Sequence, residues 1–304
     1  MYQKTDVVDK VLHGDCLEVM SKFPDNIFDM TFADPPFNLN KKYGSYKDSM
    51  SDSDYLAWSL EWIYQMVRIT KSAGTIFIHH IPKWLISYGH SLNHIAKFRH
   101  WISWDTNSAP LGKTLLPYHY GILYYTKLSF LPKDYKFYDV RIPHKRCKYC
   151  KNLSKDYGGK KSKMHPFGAL ASDVWTDIHR LKHKSMRVDH PCQLPVPLLE
   201  RLILMVTDEE DMIFDPFMGT GTTAVAARKL GRRFVGAEMD KRYVEIVNEK
   251  VQNVNPTKIN DCYVSVYLDQ IKTIRDNDSE ILQKYDNIPC KVKSKMEQPV
   301  FNYE

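Results

Sequence analysis

The sequence is poor in the features that would set it apart from ordinary folded proteins. It has six cysteines in 304 residues, few for that length, so a reduced, cytoplasmic protein is the expectation. Its longest apolar runs, such as Leu202 to Met205 and Thr75 to Ile78, fall far short of the roughly 20 residues of a membrane span. Met1 to Lys10 mixes charged with polar groups and has no apolar core of the kind a signal peptide carries. There is no internal repeat. Hydrophobic residues make up 43% and charged residues 26%, which excludes wholesale disorder. A chain of this size buries roughly three quarters of its unfolded surface, so its folding requires neither disulfides nor metal. At roughly 150 residues per domain it forms one large domain or two smaller ones.

The net charge of +7 is unevenly placed. Between Arg141 and Arg187 there are thirteen lysines and arginines against three aspartates, a local charge of +10 that leaves −3 for the rest of the chain. The basic residues include Arg141, Lys145, Arg146, Lys160, Lys161, Lys163, Arg180 and Lys182, interleaved with Tyr149, Tyr157, Phe167 and Trp175. Clustered cations with aromatic side chains suit a nucleic-acid surface; a solvated, lysine-rich loop would carry the same charge. The island has no helix–turn–helix or finger pattern.

Strand-like and helix-like segments alternate on both sides of this island. Val7–Leu12, Phe28–Ala33, Thr75–His79, Trp101–Trp104 and Gly121–Tyr125 read as strands before it, with Met212–Asp215 and Arg233–Ala237 after it. Leu56, Leu60, Ile63, Met66 and Val67 recur at helical spacing, predicting a helix over 53–70 with Asp52 or Ser53 as its N-cap. Further helices are predicted at Leu198–Val206, Ala224–Leu230 and, capped by Asp240, from Lys241 to about Val251. This alternation implies an α/β fold with a mainly parallel sheet.

Two segments carry chemistry. In Asp215-Pro216-Phe217-Met218-Gly219-Thr220-Gly221 a strand enters a glycine turn that opens a helix, so a ligand can approach the backbone closely. Glu238, nineteen residues after Gly219 and at the end of the next strand, is placed to accept hydrogen bonds from ribose hydroxyls. Ala224 occupies the third glycine position of the dinucleotide fingerprint, so a nucleoside without phosphates fits as well as a pyrophosphate. The second segment, Asp34-Pro35-Pro36-Phe37, ends a strand. Its prolines stiffen the backbone, holding the Asp34 carboxylate and the Pro35 carbonyl as two acceptors for one amino group, with Phe37 available to stack on the ring that bears it. Each segment alone also reads as a tight turn.

Taken together, the two resemble the amino-group DNA methyltransferases that use S-adenosylmethionine. Asp34–Phe37 matches that family's catalytic motif, Asp215–Gly221 its cofactor motif, and Glu238 the acidic position that follows. The motif order, with the basic island between, is similar to the family's beta group, and the resemblance covers about residues 8 to 251. It implies a Rossmann-like methyltransferase fold with a mainly parallel twisted sheet, interrupted by a basic target-recognition insertion. The implied division is residues 1–130 and 190–255 as the catalytic and cofactor-binding halves, 131–189 as the insertion, and 256–304 as a C-terminal extension. Asp15 and Cys16 resemble the contact to the cofactor's adenine ring, and Gln193 to Pro195 the segment around its methionine moiety; Leu194 stands where the family often has lysine. Thr222 continues the glycine turn.

The activity implied is methyl transfer to the exocyclic amine of a base flipped out of double-stranded DNA. An aspartate heading the motif suggests adenine N6 in this family, with cytosine N4 as the alternative. A non-catalytic nucleic-acid-binding module and an RNA methyltransferase are further alternatives. Trp104 is a second stacking candidate, and a cognate restriction endonuclease, as in restriction-modification systems, is a candidate partner for a monomer or homodimer. Pro191-Cys192-Gln193 resembles the nucleophile segment of carbon-5 cytosine methyltransferases but precedes the cofactor motif, and it would leave Asp34–Phe37 without a role. Cys147 and Cys150, with His144 and His165 nearby, form a half-complete ligand set for a structural zinc; two unliganded thiols in a loop read equally well.

Overall fold

The computed structural model describes residues 2, 4–40, 42–43, 46–47, 49–106, 115–128, 135–142, 158, 169–180, 193–255, 264–267 and 271–275. In chain order the elements are α1 (Lys4–Val7), β1 (Lys10–His13), α2 (Cys16–Ser21), β2 (Phe28–Ala33), β3 (Lys42–Tyr43), β4 (Tyr46–Lys47), α3 (Asp52–Ile69), β5 (Thr70–His80), α4 (Pro82–Leu92), β6 (Ala96–Asp105) and β7 (His119–Lys127). There follow β8 (Val140–Ile142), β9 (Ala169–Leu170), β10 (Val174–Trp175), α5 (Val196–Val206), β11 (Met212–Asp215), α6 (Thr222–Lys229), β12 (Arg233–Glu238), α7 (Lys241–Gln252), β13 (Val264–Tyr267) and β14 (Ile271–Arg275). No helix among the described residues is long and apolar enough to cross a membrane.

The chain forms two compact units. One joins Met1–Phe137 to Ser172–Thr257; the other joins Tyr138–Ala171 to Lys258–Glu304. The first holds an eight-stranded sheet in the order β1-β12-β11-β2-β5-β7-β6-β10. Every neighbouring pair is parallel except the two made by β7, which runs antiparallel to both β5 and β6. The expected mainly parallel α/β sheet is therefore present, with one reversed strand. All four residues of β11 are buried, as a central parallel strand covered on both faces requires. Met212 and Phe214 join the apolar core under α2, α3 and α4, and Ile213 between them points to the opposite face. The second unit carries a four-stranded sheet, β13-β14-β8-β9, whose pairs are antiparallel.

Several boundaries differ from the sequence reading for local reasons. The first strand begins at Lys10 rather than Val7, because Lys4–Val7 is a helical turn and Asp9 adopts φ 58°. The Asp9 carboxylate is then held by the Phe234 amide and the Arg233 guanidinium. The long helix is capped by Ser51, not Asp52 or Ser53: its Oγ accepts from the Asp54 amide at 3.1 Å. Helix α4, absent from the sequence reading, opens with Pro82 in its first turn. Trp104 is a core residue, 1% exposed, and its indole donates to the Ile178 carbonyl at 2.7 Å; it is therefore no candidate for stacking on a base.

Candidate active site

Parallel strands end on one edge, and the sheet order brings the carboxyl ends of β1, β12, β11, β2 and β5 side by side. A ligand crevice belongs there. A cavity of about 310 Å³ opens at this edge. Asp34 to Phe37 line it from the end of β2, Asp215 to Gly219 from β11, Glu238 from β12, and Asp15 with Cys16 from the turn after β1.

The Asp34–Phe37 loop is held by side chains from three elements. Consecutive histidines end β5, and strand alternation sends them to opposite faces. His79 Nδ1 lies 2.7 Å from Asp34 Oδ1. His80 Nδ1 accepts from the Ile81 amide at 2.8 Å, so its proton is on Nε2, which faces the Tyr55 hydroxyl at 2.8 Å. Burial, followed by the neighbouring His79, holds His80 well below the ordinary histidine range and therefore neutral. Tyr55, from α3, donates to the Pro36 carbonyl. Trp84, from α4, donates to the Phe37 carbonyl at 3.3 Å. The Phe37 ring is stacked on His80 with centroids 4.3 Å apart, so one of its two faces is already covered.

The glycine loop is held differently. The Met218 amide donates to the Ala237 carbonyl at 3.0 Å, and the Gly219 amide donates to Glu238 Oε2 at 2.8 Å. The other carboxylate oxygen of Glu238 accepts from the Asp240 amide at 2.8 Å. Gly221 sits at φ 85°, and a Cβ there would fall 2.7 Å from Val247 of α7, so the loop needs glycine both for its backbone and for its packing. Lys250 of α7 donates to the Thr220 carbonyl at 2.8 Å. Phe217 pins the loop to α3 through a tilted contact with Trp58 and an edge contact with Trp62.

The DNA methylase family of N6 and N4 specificity matches residues 28–249, most of the first unit and the segment between its two parts. The chain belongs to this family. Among its relatives, the type II methyltransferase M.BamHI of Bacillus amyloliquefaciens is 41% identical over 251 residues, covering 82% of this chain but only 58% of that protein. M.HpaI of Haemophilus parainfluenzae is 31% identical over 251 residues, covering 80% of this chain and 74% of that one. The solved structure of the cytosine-N4-specific PvuII DNA methyltransferase matches with a TM-score of 0.56 at 17% identity, over 82% of this chain and 88% of that one. That likeness is one of fold.

In this member of the family the cavity gathers most of the residues singled out from the sequence. Asp34, Pro35, Pro36 and Phe37 line it, as do Asp15, Cys16, Gln193, Asp215, Pro216, Phe217, Gly219, Thr222 and Glu238. Gly221 and Pro195 do not: Gly221 acts one layer back as the N-cap of α6, and Pro195 as the N-cap of α5. Met50, Trp58, Met239 and Tyr243 line the cavity without having been singled out for it from the sequence; each lies on a loop or helix whose approach depends on the tertiary fold. Leu194, where the family often has lysine, still turns its carbonyl to Thr222 Oγ1 at 3.2 Å.

The cavity is electrostatically unusual. Asp215 is fully buried, and that burial pushes its carboxyl up to about 7. Thr223 Oγ1 at 2.5 Å and the Phe217 amide at 2.8 Å oppose the rise, while Asp34 and Glu238 add to it. Burial also raises Glu238, against its backbone donors. Burial and the adjacent Asp15 push the Cys16 thiol upward, which leaves it a protonated lining residue rather than a nucleophile. Asp15 itself caps α2, accepting from Leu17 at 2.9 Å.

Of the island cations, Arg141 lies on β8 beside Asp139, 3.7 Å away, and Arg180 is exposed. Lys145, Arg146, Lys160, Lys161, Lys163 and Lys182 lie outside the described residues, as do Cys192 and the candidate zinc ligands His144, Cys147, Cys150 and His165. Among the described residues no cluster of His, Cys, Asp or Glu could hold a metal ion.

Proposed function

We propose that this protein transfers a methyl group from S-adenosylmethionine to the exocyclic amine of a base turned out of duplex DNA, with adenine N6 as the target. The observation that carries the reading is a single cavity lined by both Asp34–Phe37 and the glycine loop. The groups present suit the cofactor. Glu238, at the end of β12, is an acceptor for a ribose diol, and the carboxylates of Asp15 and Asp34 favour a cationic ligand. When bound, S-adenosylmethionine supplies a methyl group activated by its sulfonium.

The rest of the chemistry belongs to the chain. A base amine is a poor nucleophile because its lone pair is delocalised into the ring. Hydrogen bonds accepted by the Asp34 carboxylate and the Pro35 carbonyl draw the nitrogen toward tetrahedral geometry and localise that pair. Asp34 stabilises the positive charge as it develops and receives the proton the nitrogen releases, a preorganised electrostatic role that requires neither metal nor covalent intermediate. Turning the base out costs a few kcal/mol, offset by interactions in the cavity. The basic island, including Arg141, Lys145, Arg146, Lys160, Lys161, Lys163, Arg180 and Lys182, supplies cations to the DNA phosphates. Replacing Lys160, Lys161 and Lys163 by alanine is expected to weaken DNA binding and to reduce the slope of log affinity against log salt by about 0.9 for each phosphate no longer neutralised; an unchanged slope removes these lysines from the DNA surface.

Adenine is preferred because an aspartate heads the motif. Cytosine N4 is the second reading, since it offers the same pair of protons to the same two acceptors. Nucleoside analysis of duplex DNA incubated with the protein and labelled S-adenosylmethionine decides. N6-methyladenine is expected, N4-methylcytosine would assign the second reading, and no labelled nucleoside would overturn both.

A further inference from the structure

We propose that His79 is a positioning residue for Asp34, fixing the carboxylate so that one oxygen is reserved for the substrate amine; this rests on the proposed methyl transfer. Two independent observations carry it. The first is geometric: His79 Nδ1 stands 2.7 Å from Asp34 Oδ1, while the His79 side chain is 2% exposed and that of Asp34 is 18% exposed. A donor held in the core thus grips a carboxylate at the cavity wall. The ring is itself fixed by Tyr120, Trp104 and Phe37, with centroids 5.2, 5.6 and 5.6 Å away. The second concerns the far side of the ring. His79 Nε2 is buried with no hydrogen-bond partner among the described residues. Burying an unpaired ring nitrogen opposes folding, and an apolar residue would fill the same aromatic pocket without that penalty. Among the described residues, the one polar interaction the ring makes is the one to Asp34.

An aspartate that ends a strand is free to rotate about two side-chain torsions. A proton on Nδ1 directed at Oδ1 removes that freedom and leaves Oδ2 for the amine. Orientation of this kind acts on the chemical step and leaves the affinity for cofactor and DNA unchanged.

The test uses His79→Asn, which keeps an N–H near the Nδ1 position, and His79→Leu, which removes it. The His79→Leu variant is expected to lose about ten- to hundredfold in kcat, with KM for DNA and the cofactor Kd within about twofold of wild type and His79→Asn recovering most of the loss. Unchanged kcat in His79→Leu, equal losses in both variants, or a parallel fall in cofactor affinity would each overturn the proposal. A measurement that needs no histidine variant guards against misfolding. In wild-type protein carrying 15N-labelled histidine, a downfield Nδ1 proton is expected for His79 that moves upfield in Asp34→Ala; its absence from the wild type would also overturn the proposal. Wild-type protein that methylates no DNA would instead overturn the proposed function, and the nitrogen resonance would still report on the His79–Asp34 bond.

Discussion

The two loops that meet at the cavity are held by opposite means. Asp34–Phe37 is gripped by side chains that arrive from elsewhere in the chain: His79 on the carboxylate, Tyr55 on one carbonyl, Trp84 on the next, and His80 beneath the phenyl ring. The glycine loop is held largely through its own backbone, by amides donating to Ala237 and Glu238 and by the close approach of Gly221 to α7. A loop that must present one carboxylate and one carbonyl at a fixed separation benefits from several rigid external supports. A loop that must let a ligand lie against its backbone benefits from having few side chains at all.

If that division holds, substitutions on the two sides should separate chemistry from cofactor binding. The largest effect is expected for Asp34→Ala. Loss of the carboxylate should lower methyl transfer by about 10³-fold or more while the cofactor Kd, measured by calorimetry, stays within about twofold. Substantial turnover would remove Asp34 from the centre of the mechanism, and a matching loss of cofactor affinity would show that the two loops are not functionally distinct.

Asp215 sits where the glycine loop begins, and its carboxyl is raised from an ordinary 3.8 to about 7. A carboxyl whose folded value is raised binds an extra proton in the native state between those limits. Its contribution to stability is therefore greatest at the acid end and declines as pH rises from about 4 to 7. At about 1.4 kcal/mol per pH unit the whole decline is on the order of 4 kcal/mol. Asp215→Asn stays neutral throughout, so relative to wild type it should be more stable at pH 8 than at pH 5. Urea unfolding at the two values measures the difference, and an equal difference at both would mean that Asp215 is charged in the folded protein across this range.

Glu238→Ala should have a smaller effect, confined to the cofactor side. It removes a candidate ribose partner and also the acceptor of two backbone amides. Cofactor affinity should fall by about ten- to hundredfold, as for loss of a hydrogen bond to a charged group, with little change in the rate at saturating cofactor. An unchanged Kd would leave Glu238 as a loop brace only.

The sequence was most legible where local chemistry decides the structure. The glycine turn, the stiff Asp-Pro-Pro segment and the acidic end of β12 could all be read because each depends on the residues at that spot. The strands Phe28–Ala33 and Met212–Asp215 fell within their observed bounds for the same reason. The supports of the Asp34–Phe37 loop were not legible. Tyr55 and Ser59 are buried on α3 although a stripe drawn through Leu56, Leu60 and Ile63 leaves them out, because each finds a hydrogen-bond partner, Ser59 with Tyr88 at 2.8 Å. Leu56 and Leu60 are only partly buried as a result. A periodicity of apolar residues cannot report polar groups that are buried in pairs. The one available signal for the brace was two consecutive histidines ending a strand, and their meaning depends on the sheet order that places β5 next to β2.

Tyr55→Phe tests the brace at its most modest point. The hydroxyl donates to the Pro36 carbonyl and meets His80 Nε2 at 2.8 Å; Tyr55 is fully buried and His80 likewise. Removing one oxygen leaves the carbonyl and the imidazole N–H unsatisfied together, at about 1–3 kcal/mol in unfolding free energy. The ring stays, so the packing against Trp84 at 4.6 Å is kept. Because His79 still holds Asp34 from the other side, kcat should fall by less than about tenfold, well short of the Asp34→Ala loss, and cofactor affinity should not move. A loss of cofactor affinity as large as the loss of kcat would mean that the Asp34–Phe37 loop and the glycine loop share their support, and that the contrast between a loop held from outside and a loop held by its own backbone does not extend to function.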